Sequence, residues 1–564
     1  MGAISMASGR RPAWAAAWTI MAALLVLIGL LALRIGGGLP AGLVDSQVAA
    51  VSLSQGVTGI GGAGAYLADI PGKPRAGTYF EGRRLVAGYA GPAARYRRSC
   101  DGAVIDVGFA AGSDNLDLAA LDAWRTAAPC NIYARLSLVQ VYDQDGRQPP
   151  LAALDRTHES RSEPSRAWAG RFGSLHQGAQ GAAVPFAVDD TSFSALLAMQ
   201  VMASVERVSL WSLADGKGGE AALYLGGGTG PVYRSGQAAA PDADMRWLRD
   251  PAVAIRANPS VVGWTSSPDA RSVFARGTVA TRHGRFRPAA MSSFRLGIGG
   301  PAPVASWARY GAVLWKVPLT PDEMQAAIAQ VNRAMAFPLN FDAMAVMRGD
   351  SILYGAGAEG WDQRGPGWFL AKALPTVELF NLGMKAQQLA QQIGPDFTQT
   401  VAPLLATSPY GPSRTAILWQ SGTNDIGIAG RSAAQLIADS AQAVRISRAA
   451  LPGVRVLRAT LLPRSDRAWI TGVTSDGTSR EAARQAVNAA WRNGASGADL
   501  LLDIGDPASV MGAPAAPGDL SPHAAPGLPD RASLYVDRLH PSGVGYASGL
   551  WQAMARGLQS QLGQ

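Results

Sequence analysis

Cysteine and histidine are both scarce in this chain, with two cysteines and five histidines among 564 residues. The histidines are dispersed, and Cys100 and Cys130 lack the clustered spacing of a metal-binding set, so neither a metal site nor a cofactor is read from the sequence. Two cysteines admit one pairing, and a Cys100–Cys130 disulfide is the expectation, with two buried thiols as the alternative. Blocks of like charge are also missing. The net charge of +9 comes mainly from arginines scattered along the chain. No nucleic-acid motif lies among them, so the basic balance reads as a solvated face, one that would tolerate anionic glycans or lipid headgroups. Long helical patterning is absent from about residue 76 to about residue 320.

One long apolar run stands out against this background. Residues 12–33 carry no charge and are long enough for a helix to cross the ~30 Å hydrocarbon core of a bilayer. Arg10 and Arg11 precede the run, and Trp14 and Trp18 fall where an interfacial aromatic belt would be. The positive-inside rule then keeps residues 1–12 cytoplasmic and exports the remainder of the chain. The reading is a single-pass anchor at 13–34 in a bacterial inner membrane, with both cysteines in an oxidising, periplasmic or otherwise extracytoplasmic compartment. A cleaved signal peptide, with a site near Val48-Ala49-Ala50, is the rival; the run is longer than such peptides use and the site lies far from its end.

The chain is too long for one ordinary core. Residues 35–75 are rich in Gly, Ala and Ser and read as a spacer. Residues 76–337 hold short β-prone runs between turn residues, such as 136–142, 207–211 and 311–317, which predicts an all-β sandwich. That region closes on a helix: Thr320-Pro321-Asp322-Glu323 is a capping box, and Met324, Ile328, Val331 and Met335 recur at helical spacing. From 338 to 564 strand-like and helix-like segments alternate, which predicts a parallel sheet with helices on both faces. Chemistry-bearing residues there sit after the strand-like runs.

Three motifs succeed one another in this last region: Gly349-Asp350-Ser351, Gly422-Thr423-Asn424-Asp425, and Asp537-Arg538-Leu539-His540-Pro541. A serine hydroxyl needs a base to become a nucleophile. His540 titrates in the right range, and Asp537, three residues earlier, suits the part of orienting it. Asn424 offers an amide for a developing oxyanion. With a weaker block at Asn381-Leu382-Gly383 and the Arg458–Pro463 segment, the order of motifs over about 340–564 resembles the SGNH/GDSL hydrolase family. The resemblance implies a three-layer α/β, flavodoxin-like domain. It also implies Ser351, Asp537 and His540 as the triad, and Ser351 N–H, Gly383 N–H and Asn424 as oxyanion donors. Gly383 is expected to be glycine because the backbone approaches the substrate there. Asp350 is expected to be structural, and His523 a solvated bystander.

The segments Tyr89–Asp101, Asp106–Phe109, Leu116-Asp117 and Val141–Gly146 resemble the opening of concanavalin A-like jelly rolls of the arabinofuranosidase B type, and Gly311–Thr320 resembles the tail of laminin-G-like domains. Glycosidases need two carboxylates; Glu220 resembles one and Asp269 is offered for the other, but sugar binding or a structural role is the expected reading. Trp211, Trp247 and Trp264 are expected in the core rather than stacked on sugars. The whole chain is therefore expected to be a membrane-anchored serine esterase that removes or transfers acyl groups, acetyl above all, on a polysaccharide held by the sandwich. Two alternatives are a lipid-active esterase or lysophospholipase, with Trp361 and Trp368 lining an apolar groove, and a non-catalytic glycan-binding scaffold.

Overall fold

The computed structural model describes residues 66–505, apart from breaks at 128, 131–133, 163–173, 178–180, 202–207, 218, 226–230, 238–253, 287, 298–305, 357–365 and 465–466, together with 540–541 and 550–563. The expected membrane anchor, its cytoplasmic flank and most of the spacer fall outside these residues. Among the described residues no helix is long and apolar enough to cross a membrane. The end of the expected spacer is folded: Leu67 is buried in the core, and its N–H donates to the carbonyl of Leu85.

Strict alternation makes the first half a sandwich. In Ala94–Arg98 buried positions alternate with half-buried ones, as a strand with one face on a core requires. The strands join in antiparallel pairs into two faces. One carries Ser306–Trp315, Phe193–Val201, Ser260–Ser266, Ala270–Ala275 and Thr278–His283 in neighbouring order. The other runs from Pro231–Gln237 through Gly219–Leu225, Val208–Ala214 and Ala290–Leu296 to Ala182–Asp189. Phe193 and Trp264 from the first face meet Trp211 and Phe294 from the second, with ring centroids 5.3 Å apart for Phe193–Trp211 and 5.7 Å for Trp211–Trp264. Trp211 and Trp264 are thus core residues, as expected; Trp247 lies outside the described residues. Cys100 and Cys130 are disulfide-bonded.

The second half is a five-stranded parallel sheet. Its strands are β1 (Ala343–Gly349), β2 (Val377–Gly383), β3 (Thr415–Gln420), β4 (Arg455–Ala459) and β5 (Leu500–Leu502). Their spatial order is β2-β1-β3-β4-β5, the flavodoxin-like order. β1, β2 and β3 are buried along their whole length, which is why 343–347 and 416–419 read as apolar runs without alternation. The helices Ala433–Ala450 and Arg480–Arg492 begin at the caps Ser432 and Ser479.

The halves meet through the helix Pro321–Met335. Its Thr320–Glu323 capping box is formed as the sequence predicts. Met324, Ile328, Val331 and Met335 all belong to one buried cluster with Ala343, Ala345 and Met347 of β1 and Val261 and Phe274 of the sandwich. Gly263 gives the helix room there, because a Cβ would stand 2.7 Å from the Met324 sulfur and displace that side chain. An irregular segment that leads into Ser260–Ser266 also covers the outer edge of β2. Asn258 donates through Nδ2 to the Val377 carbonyl (3.1 Å) and accepts from the Leu379 N–H (2.8 Å), and the Ala257 N–H donates to the Leu379 carbonyl (2.7 Å). An otherwise open edge is closed.

Candidate active site

The register of the parallel sheet brings three strand ends level. Gly349 pairs with Gly383 of β2 on one side and with Gln420 of β3 on the other. The order reverses between β1 and β3, and ligands bind outside the carboxyl ends of strands at such a switch point. Ser351 leaves β1 there, and Asn424 leaves β3.

Ser351 opens the one-turn helix Ser351–Tyr354. Asp350 is its N-cap: the carboxylate Oδ1 accepts from the Ile352 N–H at 3.0 Å. As the first residue of a helix, Ser351 has no intrahelical acceptor for its own N–H. The turn is held by its neighbours. The Leu353 N–H donates to Gln420 Oε1 (3.1 Å) and Asn381 Nδ2 donates to the Leu353 carbonyl (2.9 Å). Gln392 Nε2 donates to the Gly349 carbonyl (2.9 Å). Three neighbouring elements and the turn's own cap therefore fix the backbone that carries one hydroxyl.

His540 Nε2 lies 2.9 Å from Ser351 Oγ, across 189 residues of sequence. That is hydrogen-bond reach for a base and its nucleophile. Asp537 and His523 lie outside the described residues.

Gly383 ends β2 in register with Gly349, and Asn424 lies in the short helix Thr423–Gly427 that follows β3. The Gly383 N–H donates to Asn381 Oδ1 at 3.1 Å, and Asn424 Nδ2 donates to the Gln387 carbonyl at 3.1 Å. Nδ2 carries a second hydrogen, so Asn424 keeps a donor beyond that bond. The reason for glycine at 383 differs from the expectation. A Cβ there would stand 2.4 Å from the Tyr354 nitrogen and 2.6 Å from the Leu353 carbonyl carbon. The backbone that approaches Gly383 is that of the serine turn.

Beneath the turn lies a buried charge cluster that the motifs alone did not reveal as a unit. Asp350 and Asp425 are fully buried, and Arg458 is 1 % exposed. Burial pushes the Asp350 carboxyl up to about 7, with the charge of Asp425 adding to the effect, and burial also raises Asp425. Arg458 is pushed down to about 9 by burial against the pull of both acids. Asp425 accepts from the Leu389 and Ala390 N–H groups, and Arg458 donates to the Ser421 carbonyl and lies over the Trp491 ring. The Asp350 reading as a structural residue is consistent with this placement. The signal for Arg458 was present as a charged residue inside an apolar strand.

Glu220 stands on the strand Gly219–Leu225 of one sandwich face, and Asp269 is exposed at the turn after Ser260–Ser266 on the other. The structure does not make them a carboxylate pair on one surface. Trp361 lies outside the described residues, and Trp368 lies on the helix Pro366–Ala373.

Comparison with known proteins matches residues 348–547 to the GDSL-like lipase/acylhydrolase family. No curated protein matches the chain. Among solved structures, a GH54 α-L-arabinofuranosidase is 14 % identical with a TM-score of 0.36, covering 48 % of this chain and 65 % of its own. A lipolytic G-D-S-L family protein from Veillonella parvula is 15 % identical with a TM-score of 0.26, covering 39 % of this chain and 97 % of its own. A GDSL-like lipase from Bacteroides thetaiotaomicron is 16 % identical with a TM-score of 0.28, covering 39 % and 89 %. The chain thus spans just under two thirds of the arabinofuranosidase.

Proposed function

We propose that this chain, whose residues 348–547 match the GDSL-like lipase/acylhydrolase family, is a serine ester hydrolase: a membrane-anchored, extracytoplasmic esterase that removes or transfers acyl groups, acetyl first, on a polysaccharide. The observation that carries the ester chemistry is the 2.9 Å approach of His540 Nε2 to Ser351 Oγ at the switch point of the sheet. The polysaccharide acceptor rests on the sandwich packed against the hydrolase domain and on its sequence resemblance to concanavalin A-like domains. The anchor and the periplasmic placement rest on residues 10–34.

Ser351 Oγ attacks the ester carbonyl carbon while its proton passes to His540 Nε2. The carbonyl oxygen becomes an oxyanion, for which the Ser351 N–H, Asn424 Nδ2 and, if it leaves Asn381, the Gly383 N–H are the donors. Removing one such donor costs about 10²–10³ in turnover in enzymes of this kind. The tetrahedral centre collapses, His540 returns the proton to the departing sugar oxygen, and the acyl group stays on Ser351. Water or a second sugar hydroxyl then attacks the acyl carbon and gives its proton to His540; the new tetrahedral centre collapses, the bond from the acyl carbon to Ser351 Oγ breaks, and His540 returns that proton to Ser351 Oγ. Asp537 is assigned by family resemblance the part of holding His540 in the productive tautomer.

Hydrolysis of p-nitrophenyl acetate and p-nitrophenyl octanoate by the full chain and by Ser351→Ala tests the reading. Turnover of acetate above octanoate that disappears in Ser351→Ala supports it. Preference for octanoate moves the substrate to lipids. Equal background rates for both proteins with both esters, and with an acetylated polysaccharide, contradict it.

A further inference from the structure

At the opposite end of the parallel sheet from Ser351, where the sandwich meets the hydrolase domain, a cavity of about 430 Å³ opens among Arg256, Arg276, Asn332, Phe341, Glu378 and Tyr410. Glu378 pairs in register with Met344 near the start of β1, whereas Gly383 pairs with Gly349 at its end. Five residues of strand put the cavity roughly 17 Å from the serine edge. The volume is that of a small-molecule site rather than a packing defect.

Its charges do not balance. Arg276 grips Glu378 with both arms, Nε to Oε1 and a terminal nitrogen to Oε2, each at 2.8 Å. Tyr410 adds its hydroxyl to Oε2 at 3.3 Å. Arg256, 7 % exposed, reaches the same carboxylate only at 3.5 Å, donates to the Pro338 carbonyl at 3.3 Å and lies over the Phe341 ring. Its Nε has no acceptor. Two guanidinium charges thus face one carboxylate, with all three side chains less than a tenth exposed, where an unmatched charge is costly. Asn332, 5 % exposed, lines the cavity wall, and its Oδ1 is buried with no donor.

The sequence also goes out of its way to place Arg276. It occupies the first central position of a two-residue hairpin turn closed by Ala275 and Thr278, with φ of 55° followed by 75° at Gly277. That turn favours Asn, Asp or Gly, and an arginine there bears backbone strain. Strain of this kind persists at positions that do something with the side chain.

We propose that this interdomain cavity binds an acidic sugar unit, a hydroxyl-bearing carboxylate of the uronate class. The carboxylate would meet Arg256, a ring hydroxyl would donate to Asn332 Oδ1, and the apolar face of the ring would lie against Phe341 or Tyr410. The site is separate from the ester-cleaving centre and does not depend on the ester reading.

Isothermal titration of the full chain with D-glucuronate, D-glucose and acetate tests it. The expected result is glucuronate binding about tenfold or more tighter than either comparison ligand. Ser351→Ala should bind it equally well. Asn332→Asp, which sets a like charge beside the carboxylate, should weaken binding by about tenfold or more. Ala329→Phe, built from a half-buried position of the cavity wall, should abolish it while leaving p-nitrophenyl acetate turnover and the circular dichroism spectrum unchanged. No glucuronate binding by the wild type overturns the proposal and leaves the cluster as an interdomain ion pair. So does equal affinity for glucose, equal affinity for acetate, or undiminished binding by Ala329→Phe.

Discussion

At the scale of single residues, the site joins a serine whose position is fixed by many bonds to a carboxylate held at an unusual protonation balance. Asp350 caps the serine turn through Oδ1, while its Oδ2 finds no partner among the described residues. Its carboxyl, raised to about 7 by burial, binds a proton in the folded state that the unfolded chain has already released. Between about pH 4 and pH 7 the folded state therefore holds more protons, and the stability attributable to Asp350 falls as pH rises through that window. Asp350→Asn, neutral at every pH, should gain stability relative to the wild type between about pH 5 and pH 8, read as chemical-denaturation midpoints. A wild type whose midpoint falls no more than the variant's over that range would show that Asp350 ionises freely. The serine and the histidine that meet at 2.9 Å were legible as sequence because each lies in a short motif with its neighbours. Arg458 was legible only as an oddity, since nothing in the local string names Asp350 and Asp425 as the charges it serves.

At the scale of elements, the strand ends of β1, β2 and β3 and the turn after β1 form one tightly fitted unit. At Gly383 the missing side chain is what lets β2 lie against the Ser351–Tyr354 backbone. Gly383→Ala should push the serine turn away, costing about 1–3 kcal/mol of stability together with turnover. Thermal unfolding and p-nitrophenyl acetate hydrolysis on the same sample would check it. Unchanged stability would mean the turn is free to move. The alternation of strands and helices after residue 338 was readable because buried parallel strands and capped helices have distinct patterns, and the helix starts at Ser432 and Ser479 were marked by their caps. The sandwich was readable only as a class. Its pairings join strands far apart in sequence, as with Phe193–Val201 and Ser306–Trp315, and alternation alone does not say which strand lies beside which.

At the scale of the whole molecule, the sequence boundary near residue 338 is real in pattern but not in packing. The helix Pro321–Met335 ends the sandwich in sequence and supplies core to both halves, and Asn258 seals the edge of β2. Glu378 and Arg256, 122 residues apart, could not have been matched from the string. Glu378→Ala would leave two buried guanidinium groups without their carboxylate and should cost about 3–5 kcal/mol. Because the core is continuous, calorimetry should show the sandwich and parallel-sheet halves melting in a single transition that moves down in the variant. Two separate transitions in the wild type would show that the halves are energetically independent. Reduction of the Cys100–Cys130 bond, which spans 30 residues, should remove up to about 3–4 kcal/mol on the chain-entropy view, seen as a lower melting temperature in dithiothreitol.

The most direct test of the account is to let the protein mark its own nucleophile. Incubating the full chain with a fluorophosphonate, in which an activated serine oxygen displaces fluoride from phosphorus, and mapping the adduct by peptide mass spectrometry should give a single modified residue, Ser351. Labelling should slow steeply in His540→Ala. An adduct on another residue, or esterase turnover by a protein that never labels at Ser351, would contradict the assignment.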